Sequence, residues 1–493
     1  MSYPTHTKAI VCYIEAHIRD SKINHDELES RIGFSLAHIR DFFHKDTGYS
    51  LAKYVRMRKV KCSAIELVNT DKTILDIAYT YGFSNPETYT RAFKKMTGMT
   101  PSEFREQELV VGKEELVTGV YGISILNQKE YRSNLRNKKD AYKNEGSTIL
   151  YGVPKVTHGV YGGSTPYPIC LKACSEYLGE KLNYYFTVVS SGVAFRLVWN
   201  NEIWDLSNVD IFHTFNETND VYRIGVEAIG RDFSFLERDK NTTKEEFISF
   251  IKKNVDNGYP CIALGVIGPP EPCIITGYRN NGEELLGWNF FQDEPEFATS
   301  IEIDESGYFV CSDWWNNTDT QAVMCMGAIS GEKYTTEEII INAINALEGR
   351  VDCGYSKGVS AYEAWKKALE NEKDFVVGDN YTCLFEKMLC QIDAMSCLIE
   401  GRSCAAAFFN ERAKCVSDGA DYKKIAVCFT KCVNAIKEMW SLYGDISDMD
   451  GMMKKLANDE VRKKSCELIE YAAKEDIEAL TAMRRLLNNG QFD

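Results

Sequence analysis

The chain has 493 residues, and at roughly 150 residues per domain this length indicates about three domains. Its composition, 44% hydrophobic and 26% charged, is that of ordinary globular proteins and excludes a disordered or collagen-like chain. No apolar run approaches the ~18 residues of a membrane-spanning helix, and the N-terminal residues lack the pattern of a secretory signal. We therefore expect a cytoplasmic protein without a membrane partner, whose 17 cysteines are reduced thiols.

The net charge of −15 is distributed unevenly along the chain. Residues 1–107, called the head below, contain 16 Lys and Arg against 13 Asp and Glu. The remaining 386 residues, called the body, contain 41 against 59. The head therefore carries +3 and the body −18, which together give −15. A mildly basic head on an acidic body assigns any contact with nucleic acid to the head.

The first fifty residues predict three helices. Residues 5–18 repeat apolar side chains at helical spacing. Asn24 is placed to cap a second helix that Gly33 ends, and Ser35 is placed to cap a third that ends at Gly48. Two short helices joined by a tight turn are typical of a helix-turn-helix, whose second helix enters the major groove of DNA.

The same arrangement is predicted again after a long amphipathic helix that Ser50 caps. Thr73 is placed to cap a short helix, Gly82 breaks it, and Ser84 is placed to cap the next. A closing helix is predicted from about Pro101, because proline is favoured in a first helical turn. Two helix-turn-helix units joined by one helix are a more specific pattern than a single unit.

Two stretches of the head carry a resemblance to a known family. ILDIAYTYGFSNPETYTRAFKKMTGMTPSEFRE, residues 74–106, resembles the signature of the AraC/XylS-type DNA-binding domain, and FSLAHIRDFFHKDTGYSLAKYVRMRKV, residues 34–60, resembles its first half. The resemblance covers about residues 6–107. It implies an all-α double helix-turn-helix whose two recognition helices enter successive major grooves of double-stranded DNA.

The resemblance also implies which side chains face the bases. These positions are Ala37, Arg40, Asp41, Pro86, Glu87, Thr90 and Arg91. A good bidentate pair between an arginine and guanine O6 and N7 discriminates by about 1–3 kcal/mol, so the two arginines are the expected guanine readers. The two carboxylates accept from cytosine N4 or repel wrong registers. Asp41 and Pro86 depart from the family pattern, which bears on the DNA sequence that is preferred.

Four further cations of the head are expected at phosphates, where they set register and add salt dependence without reading sequence. They are Lys45, Arg58, Lys94 and Lys95.

Residues 109–330 predict an α+β domain, because short β-rich runs alternate with Gly, Asn and Pro clusters. The predicted strands are 185–189, 192–199, 261–266, 273–278 and 284–291, with a helix at 244–254. SGVAFRLVW and PCIITGYRNNGEELLGWNFF resemble segments of papain-like proteins, with the closest patterns in C39-type peptidases and butirosin-biosynthesis acyltransferase-like domains.

A papain-like enzyme requires a thiol at a helix N-terminus, an imidazole on a later strand and a group that orients the imidazole. Cys170 or Cys174 supplies a thiol, and Asn289 lies where the orienting group is expected. The place of the imidazole holds Cys273, and no histidine follows His213. We therefore expect no catalysis, with a cysteine hydrolase or acyltransferase fused to a DNA-binding head as the alternative.

A papain-like cleft without a base, joined to a DNA-binding head, predicts a sensor whose cleft holds a small-molecule effector. Five of the seven tryptophans lie between Trp199 and Trp315, and aromatic walls are typical of ligand pockets and of ordinary cores alike. The residues predicted to contact the effector are Phe195, Trp199, Tyr278 and Trp288. No cofactor is expected.

Residues 331–493 contain no proline or histidine and predict an α-helical bundle. Cys383, Cys390, Cys397 and Cys404 recur every seven residues, which places them on one helix face. Core packing explains this spacing without a metal site, and redox or metal sensing is the alternative. The tail is also a candidate surface for homodimerisation. The whole sequence thus predicts a sequence-specific DNA-binding transcription regulator that senses a small molecule.

Overall fold

A computed structural model describes most of the chain. The described residues are 5–20, 22–47, 50–69, 72–83, 85–97, 100–106, 141–205, 210–292, 301–375, 381–416, 419–446 and 448–490. The predicted glycine stop at Gly48 and the predicted cap at Ser84 lie outside these residues.

The described head is entirely helical, as predicted. Its helices are α1 Thr5–Ala16, α2 His25–Ile32, α3 Leu36–Thr47, α4 Leu51–Asn69, α5 Ile74–Thr80, α6 Pro86–Thr97 and α7 Pro101–Glu106. Helices α2 and α3 form the first helix-turn-helix and α5 and α6 the second, with α4 packed between the two units.

Local capping explains why these helices begin and end where they do. The Asn24 side chain accepts a hydrogen bond from the backbone N–H of Glu27 (3.3 Å), and Gly33 ends α2 in the left-handed conformation at φ 78°. The Thr73 hydroxyl accepts from the N–H of Asp76 (3.1 Å). In α6 the capping side chain is Asn85, which accepts from the N–H of Thr88 (2.8 Å).

The middle segment is built on one antiparallel sheet. Within the described residues the strand order is β4-β10-β5-β6-β7-β9-β8, and β2 pairs with both β1 and β6. The strands are β1 Tyr142–Asn144, β2 Ser147–Ile149, β4 Arg231–Glu237, β5 Cys261–Leu264, β6 Pro272–Arg279, β7 Glu284–Trp288, β8 Glu302–Ile303, β9 Phe309–Cys311 and β10 Ala322–Ile329, with β3 Val198–Asn200 in a separate sheet. The helices are α8 Pro166–Tyr177, α9 Tyr184–Ser190, α10 Asp220–Glu227, α11 Lys244–Asp256 and α12 Thr336–Leu347.

The structure corrects two predicted strands. Residues 185–189 form helix α9, and residues 192–199 contain a 3₁₀ turn at Val193–Phe195 before β3 begins. Val188 and Val189 are both fully buried in α9. Burial among neighbouring helices outweighs the β-propensity of these side chains, because that propensity depends on context.

The predicted boundary at residue 330 does not separate two structural units. A second sheet joins β3 to β12 Tyr355–Lys357, which pairs in turn with β11 Arg350–Asp352. Residues beyond 330 thus complete a sheet of the middle segment, so the helical tail begins near Ser360.

The tail is helical in its described residues, with α13 Ser360–Glu370, α14 Tyr381–Cys415, α15 Ala420–Tyr443, α16 Met449–Ala457 and α17 Asp459–Asn489. Helix α14 is continuous, so the cysteines spaced by seven residues do share one face. None of the helices described combines the length and the apolar character needed to cross a bilayer.

Two hydrophobic clusters organise the chain. One joins the sheet of the middle segment to the later parts of α14 and α17 and the first half of α15. The other joins the head to α13, α16 and the first half of α14. Helix α14 therefore contributes to both cores.

Candidate nucleic-acid interface

Helix α3 presents its predicted base-facing side chains to solvent. Ala37, Arg40 and Asp41 are exposed, whereas Ile39 and Phe43 on the other face are fully buried. The apolar face packs against the rest of the head, and the other face remains exposed to solvent.

Helix α6 repeats this arrangement in the second unit. Glu87 and Arg91 are exposed, and Pro86 and Thr90 are half-buried. On the opposite face the rings of Tyr89 and Phe93, both fully buried, pack edge to face with centroids 5.5 Å apart. The Arg91 Nε–H donates to the Glu87 carbonyl oxygen at 3.4 Å, a contact that a guanine edge can replace.

The four cations predicted to contact phosphates differ in their exposure. Lys45 and Lys94 are exposed, and the side chain of Lys95 lies outside what the structure describes. The prediction is wrong for Arg58, which is only 7% exposed because it lies on the inner side of α4. Arg56 on α4 is exposed and was missed, although helical spacing places it away from the buried Tyr54.

The body leaves both recognition helices accessible. The main contacts of α3 are with α1, α2 and α4, and those of α6 are with α4, α5 and α7. Contacts with the body are made by α1 and α2, which pack on α14, and by α1 on α16. The head is therefore attached to the body mainly through α1 and α2 rather than through α3 or α6.

Comparisons with known proteins find matches to the head. A family model described as a helix-turn-helix domain matches residues 28–107. The chain is 35% identical over 105 residues to the uncharacterized HTH-type transcriptional regulator YbfP of Bacillus subtilis, covering 21% of this chain and 35% of that protein. It is 30% identical over 107 residues to the regulatory protein SoxS of Escherichia coli, covering 22% of this chain and 99% of that protein. A solved AraC-type regulator from Chromobacterium violaceum aligns at 23% identity and a TM-score of 0.21, covering 22% of this chain and 95% of that one.

The two exposed helices and the sequence matches define the head as a double helix-turn-helix of the kind found in transcription regulators. The chain belongs to the AraC family. It spans about a third of the length of the first curated relatives that it matches, and the matched region is the head.

Cys170 and Asn289 both have backbone carbonyl partners in the middle segment. The Cys170 thiol on α8 lies 3.6 Å from the Pro272 carbonyl oxygen at the start of β6. The Asn289 amide donates to the carbonyls of Gly265 and Ile267, both at 3.3 Å. Burial raises the pKa of Cys170 well above its usual value and that of Cys273 to about 12. Neither thiol is therefore poised as a thiolate nucleophile.

The two histidines of the middle segment are engaged elsewhere. His158 Nδ1 lies 3.1 Å from the Ser164 carbonyl oxygen, and burial lowers the pKa of its imidazole. His213 stacks on Tyr355 with ring centroids 4.5 Å apart.

The side chains predicted to form an effector pocket lie in the hydrophobic core. Phe195, Tyr278 and Trp288 belong to the core of the middle segment, whereas Trp199 belongs to the other cluster, where it stacks on Trp365 at 5.5 Å. Trp288 Nε1 donates to the Val153 carbonyl oxygen at 2.9 Å. The four side chains therefore fill core positions, three of them in one cluster and Trp199 in the other.

The tail cysteines also occupy core positions. Cys390, Cys397 and Cys404 are buried, and burial raises the pKa of each thiol. Within the described part of the chain no three His, Cys, Asp or Glu side chains converge as a metal site. The spacing by seven residues thus corresponds to packing along one face of α14.

Proposed function

We propose that the protein is a cytoplasmic, sequence-specific transcription regulator whose body governs the DNA-binding head in response to a small molecule. In this proposal Arg40 and Arg91 read bases, and Lys45 and Lys94 contact phosphates. The resemblance of two of its segments to papain-like proteins, together with the burial of Cys170 and Cys273, supports a papain-like middle segment that acts without catalysis. The observation that carries the proposal is the position of α14, which touches both the head and the middle segment.

The first half of α14 belongs to the core of the head. Phe385 and Met388 are fully buried in the same cluster as Ile10 and Tyr13 of α1. An ion pair adds to this apolar contact at its edge, where Arg31 Nη1 of α2 lies 2.6 Å from Asp450 Oδ2 of α16. A change in the position of α14 therefore acts directly on α1 and α2.

The middle of α14 inserts two charged side chains into the middle segment. The Glu400 carboxylate accepts hydrogen bonds from the Ser164 N–H (2.7 Å), the Thr165 hydroxyl (2.6 Å) and the Tyr184 hydroxyl (2.6 Å). It thereby supplies the negative charge that the N-terminus of α8 favours. These hydrogen bonds hold the pKa of Glu400 below its usual value although the carboxyl is buried.

Arg402 is the second charged side chain that α14 inserts into the middle segment. Its guanidinium is fully buried, donates to the carbonyl oxygens of Ala194 (2.6 Å) and Arg196 (3.2 Å), and pairs with Asp476 of α17 at 2.7 Å. Gly401 between the two charges permits this approach, because a Cβ there would lie 2.6 Å from the Ala194 carbonyl oxygen.

Helix α14 is continuous between its contacts with the head and its contacts with the middle segment, so it forms a rigid connection. Residues 385 and 402 are separated by about 25 Å along the helix, at 1.5 Å per residue. A ligand that binds one arrangement of the middle segment more tightly shifts α14, and therefore shifts the surface on which the head packs. A ligand with equal affinity for both arrangements shifts nothing.

Weakening the joint between head and body tests this coupling. Asp450→Asn removes the ion pair with Arg31, and we expect the full chain to bind a duplex selected from a random library about three- to tenfold more tightly. The reason is that a head released from the acidic body suffers less repulsion from the phosphates. The measurement is fluorescence anisotropy at low salt.

Glu460→Gln serves as the matched control, because it removes one exposed acidic charge from α17 without a contact to the head. It is expected to change DNA affinity less than twofold. Equal effects of the two substitutions, or none from Asp450→Asn, would contradict control of the head through this joint.

A further inference from the structure

Five hydrogen-bond donors converge on one point at the N-terminus of α8. Ser164 and Thr165 each direct a backbone N–H and a side-chain hydroxyl to this point, and the Tyr184 hydroxyl of α9 meets them there. The five donor–acceptor distances lie between 2.6 and 3.2 Å. The acceptor that they share is the Glu400 carboxylate of α14. Ser164, Thr165 and Tyr184 are called the carboxylate cradle below.

Features beyond the helix end also favour an anion in the cradle. Thr165 occupies the N-cap position of α8, and its hydroxyl donates to Glu400 rather than capping the helix itself. The guanidinium of Arg196, a residue only 5% exposed, adds a positive charge beside the cradle, with Nη2 3.4 Å from Thr165 Oγ1. A Cβ at Gly163 would lie 2.0 Å from the ring of Tyr184, so a glycine there allows the Tyr184 hydroxyl to reach the anion.

The carboxylate that fills the cradle comes from a distant part of the chain. Glu400 lies 236 positions after Ser164, on a helix that also packs against the head. Ser164 and Glu400 are half-buried and Gly162 is exposed, so the edge of the cradle lies close to solvent. Because a free carboxylate presents the same two oxygens as a glutamate side chain, the cradle is equally suited to a dissolved acid.

Exchange of Glu400 for a dissolved acid leaves the cradle satisfied. All five donors keep an acceptor, whereas an empty cradle would leave buried donors unpaired, which is costly. The exchange is therefore decided by what else the acid contacts. The half-buried ring of Tyr161 stacks on that of Tyr184 with centroids 6.4 Å apart, and it offers an apolar surface to the carbon skeleton of the acid.

We infer that the carboxylate cradle is the effector site and that the effector is a carboxylic acid whose carboxylate replaces that of Glu400. In the chain without effector, Glu400 occupies the cradle as an intramolecular ligand and ties α14 to α8. A bound acid frees Glu400, and with it the helix that packs against the head. The inference rests on the proposed function and names the chemical class of its effector.

Removing the internal carboxylate and replacing it from solution tests the cradle. Glu400→Ala deletes the equivalent of one acetate ion from the full chain. The variant is melted at pH 7 in sodium acetate, in sodium chloride of equal ionic strength, and in that chloride solution with acetamide. Acetate is expected to raise the melting temperature by about 2 °C or more over chloride, because a ligand that binds only the folded chain stabilises it. Acetamide, which has a similar shape without the charge, is expected to have no effect.

Two chains with a filled cradle control for general effects of the acetate salt. In the natural chain and in Glu400→Gln a side chain already occupies the cradle, so acetate is expected to stabilise both less than it stabilises Glu400→Ala. If Glu400→Ala does not fold in chloride, the yield of folded chain after refolding in acetate or in acetamide replaces the melting temperature. Acetate is then expected to restore the yield and acetamide is not.

Two neighbouring tyrosines of α9 show whether acetate binds in the cradle. Added to Glu400→Ala, Tyr184→Phe removes one of the five donors and is expected to raise the acetate concentration of half-maximal stabilisation severalfold, since hydrogen bonds to a charged acceptor are strong. Tyr185→Phe is the matched control, because the Tyr185 hydroxyl lies 2.9 Å from Asn183 Nδ2 and contacts Glu411 instead of the cradle. It is expected to leave that concentration unchanged.

Glu400→Ala in acetate also reproduces the arrangement expected with effector bound, in which the cradle is filled and α14 is untied from α8. Its affinity for the duplex selected from a random library is expected to be about threefold or more above that of the natural chain in acetate, because the head is held less firmly against the acidic body. Fluorescence anisotropy measures both affinities.

The outcomes separate the cradle from the proposed function. Equal effects of acetate and acetamide on Glu400→Ala, or equal effects of the two tyrosine substitutions, would overturn the cradle as a carboxylate site. If that occurs while Asp450→Asn still changes DNA affinity, control of the head by the body stands without this ligand. If acetate binds to Glu400→Ala and the DNA affinity equals that of the natural chain, the cradle stands and its role as effector site fails.

Discussion

Arg402→Met is expected to lower the free energy of unfolding by about 3–5 kcal/mol, because removing one member of a buried ion pair leaves its partner uncompensated. Both side chains of the pair are 0% exposed. Without the guanidinium, Asp476 retains only the hydrogen bond from the Tyr362 hydroxyl (2.7 Å) among the contacts described, and the Ala194 and Arg196 carbonyls lose a donor. Thermal unfolding followed by circular dichroism should show a midpoint about 3–5 °C lower.

Two variants make this result specific. Lys463→Met breaks an exposed ion pair with Asp459, in which the side chains are 73% and 50% exposed, and is expected to change stability by less than about 1 kcal/mol. The double variant Arg402→Met with Asp476→Leu removes both buried charges and should recover part of the loss. A single variant that melts like the natural chain would show that the tail is not held to the middle segment by this pair.

Arg40→Ala and Arg91→Ala are expected to relax the preference of the full chain at one base position each, at about 1–3 kcal/mol per position. Both side chains are exposed on the fronts of α3 and α6. A guanidinium that donates to guanine O6 and N7 is lost on truncation, so the affinity for the selected duplex falls while that for random DNA changes little. Anisotropy titrations on the selected duplex and on single-base variants of it measure this difference.

Lys94→Ala provides the contrast on the same helix. A lysine at a phosphate is expected to weaken binding to all duplexes alike and to reduce the slope of log affinity against log salt by about 0.9. Equal losses on selected and random DNA for the two arginines would instead place them at phosphates.

The head was predictable because its signals are local. Asn24, Gly33 and Thr73 each act on atoms within four residues of themselves, so the sequence pattern and the observed caps agree. The interpretation fails at Arg58 because helical spacing alone does not say which side of α4 faces inward once two units pack around it. The cap of α6 differs by one residue because an asparagine directly before Pro86 takes that role.

The body was less predictable because its decisive contacts join distant residues. Glu400 reaches Ser164 and Thr165, which lie more than two hundred positions earlier in the chain. The sheet of β3, β11 and β12 joins segments on both sides of the predicted boundary.

Gly401, between Glu400 and Arg402, limits how far α14 can move along its axis. Sliding the helix by one residue would bring a side chain to the narrow gap at the Ala194 carbonyl and would withdraw both charges from their donors and acceptors. Intermediate positions of α14 against the middle segment are therefore unfavourable, so the two charged side chains are either fully engaged with their partners or fully withdrawn. Under the proposed function each molecule would therefore adopt one of two discrete states, and an increasing amount of effector would change the fraction of molecules in each state.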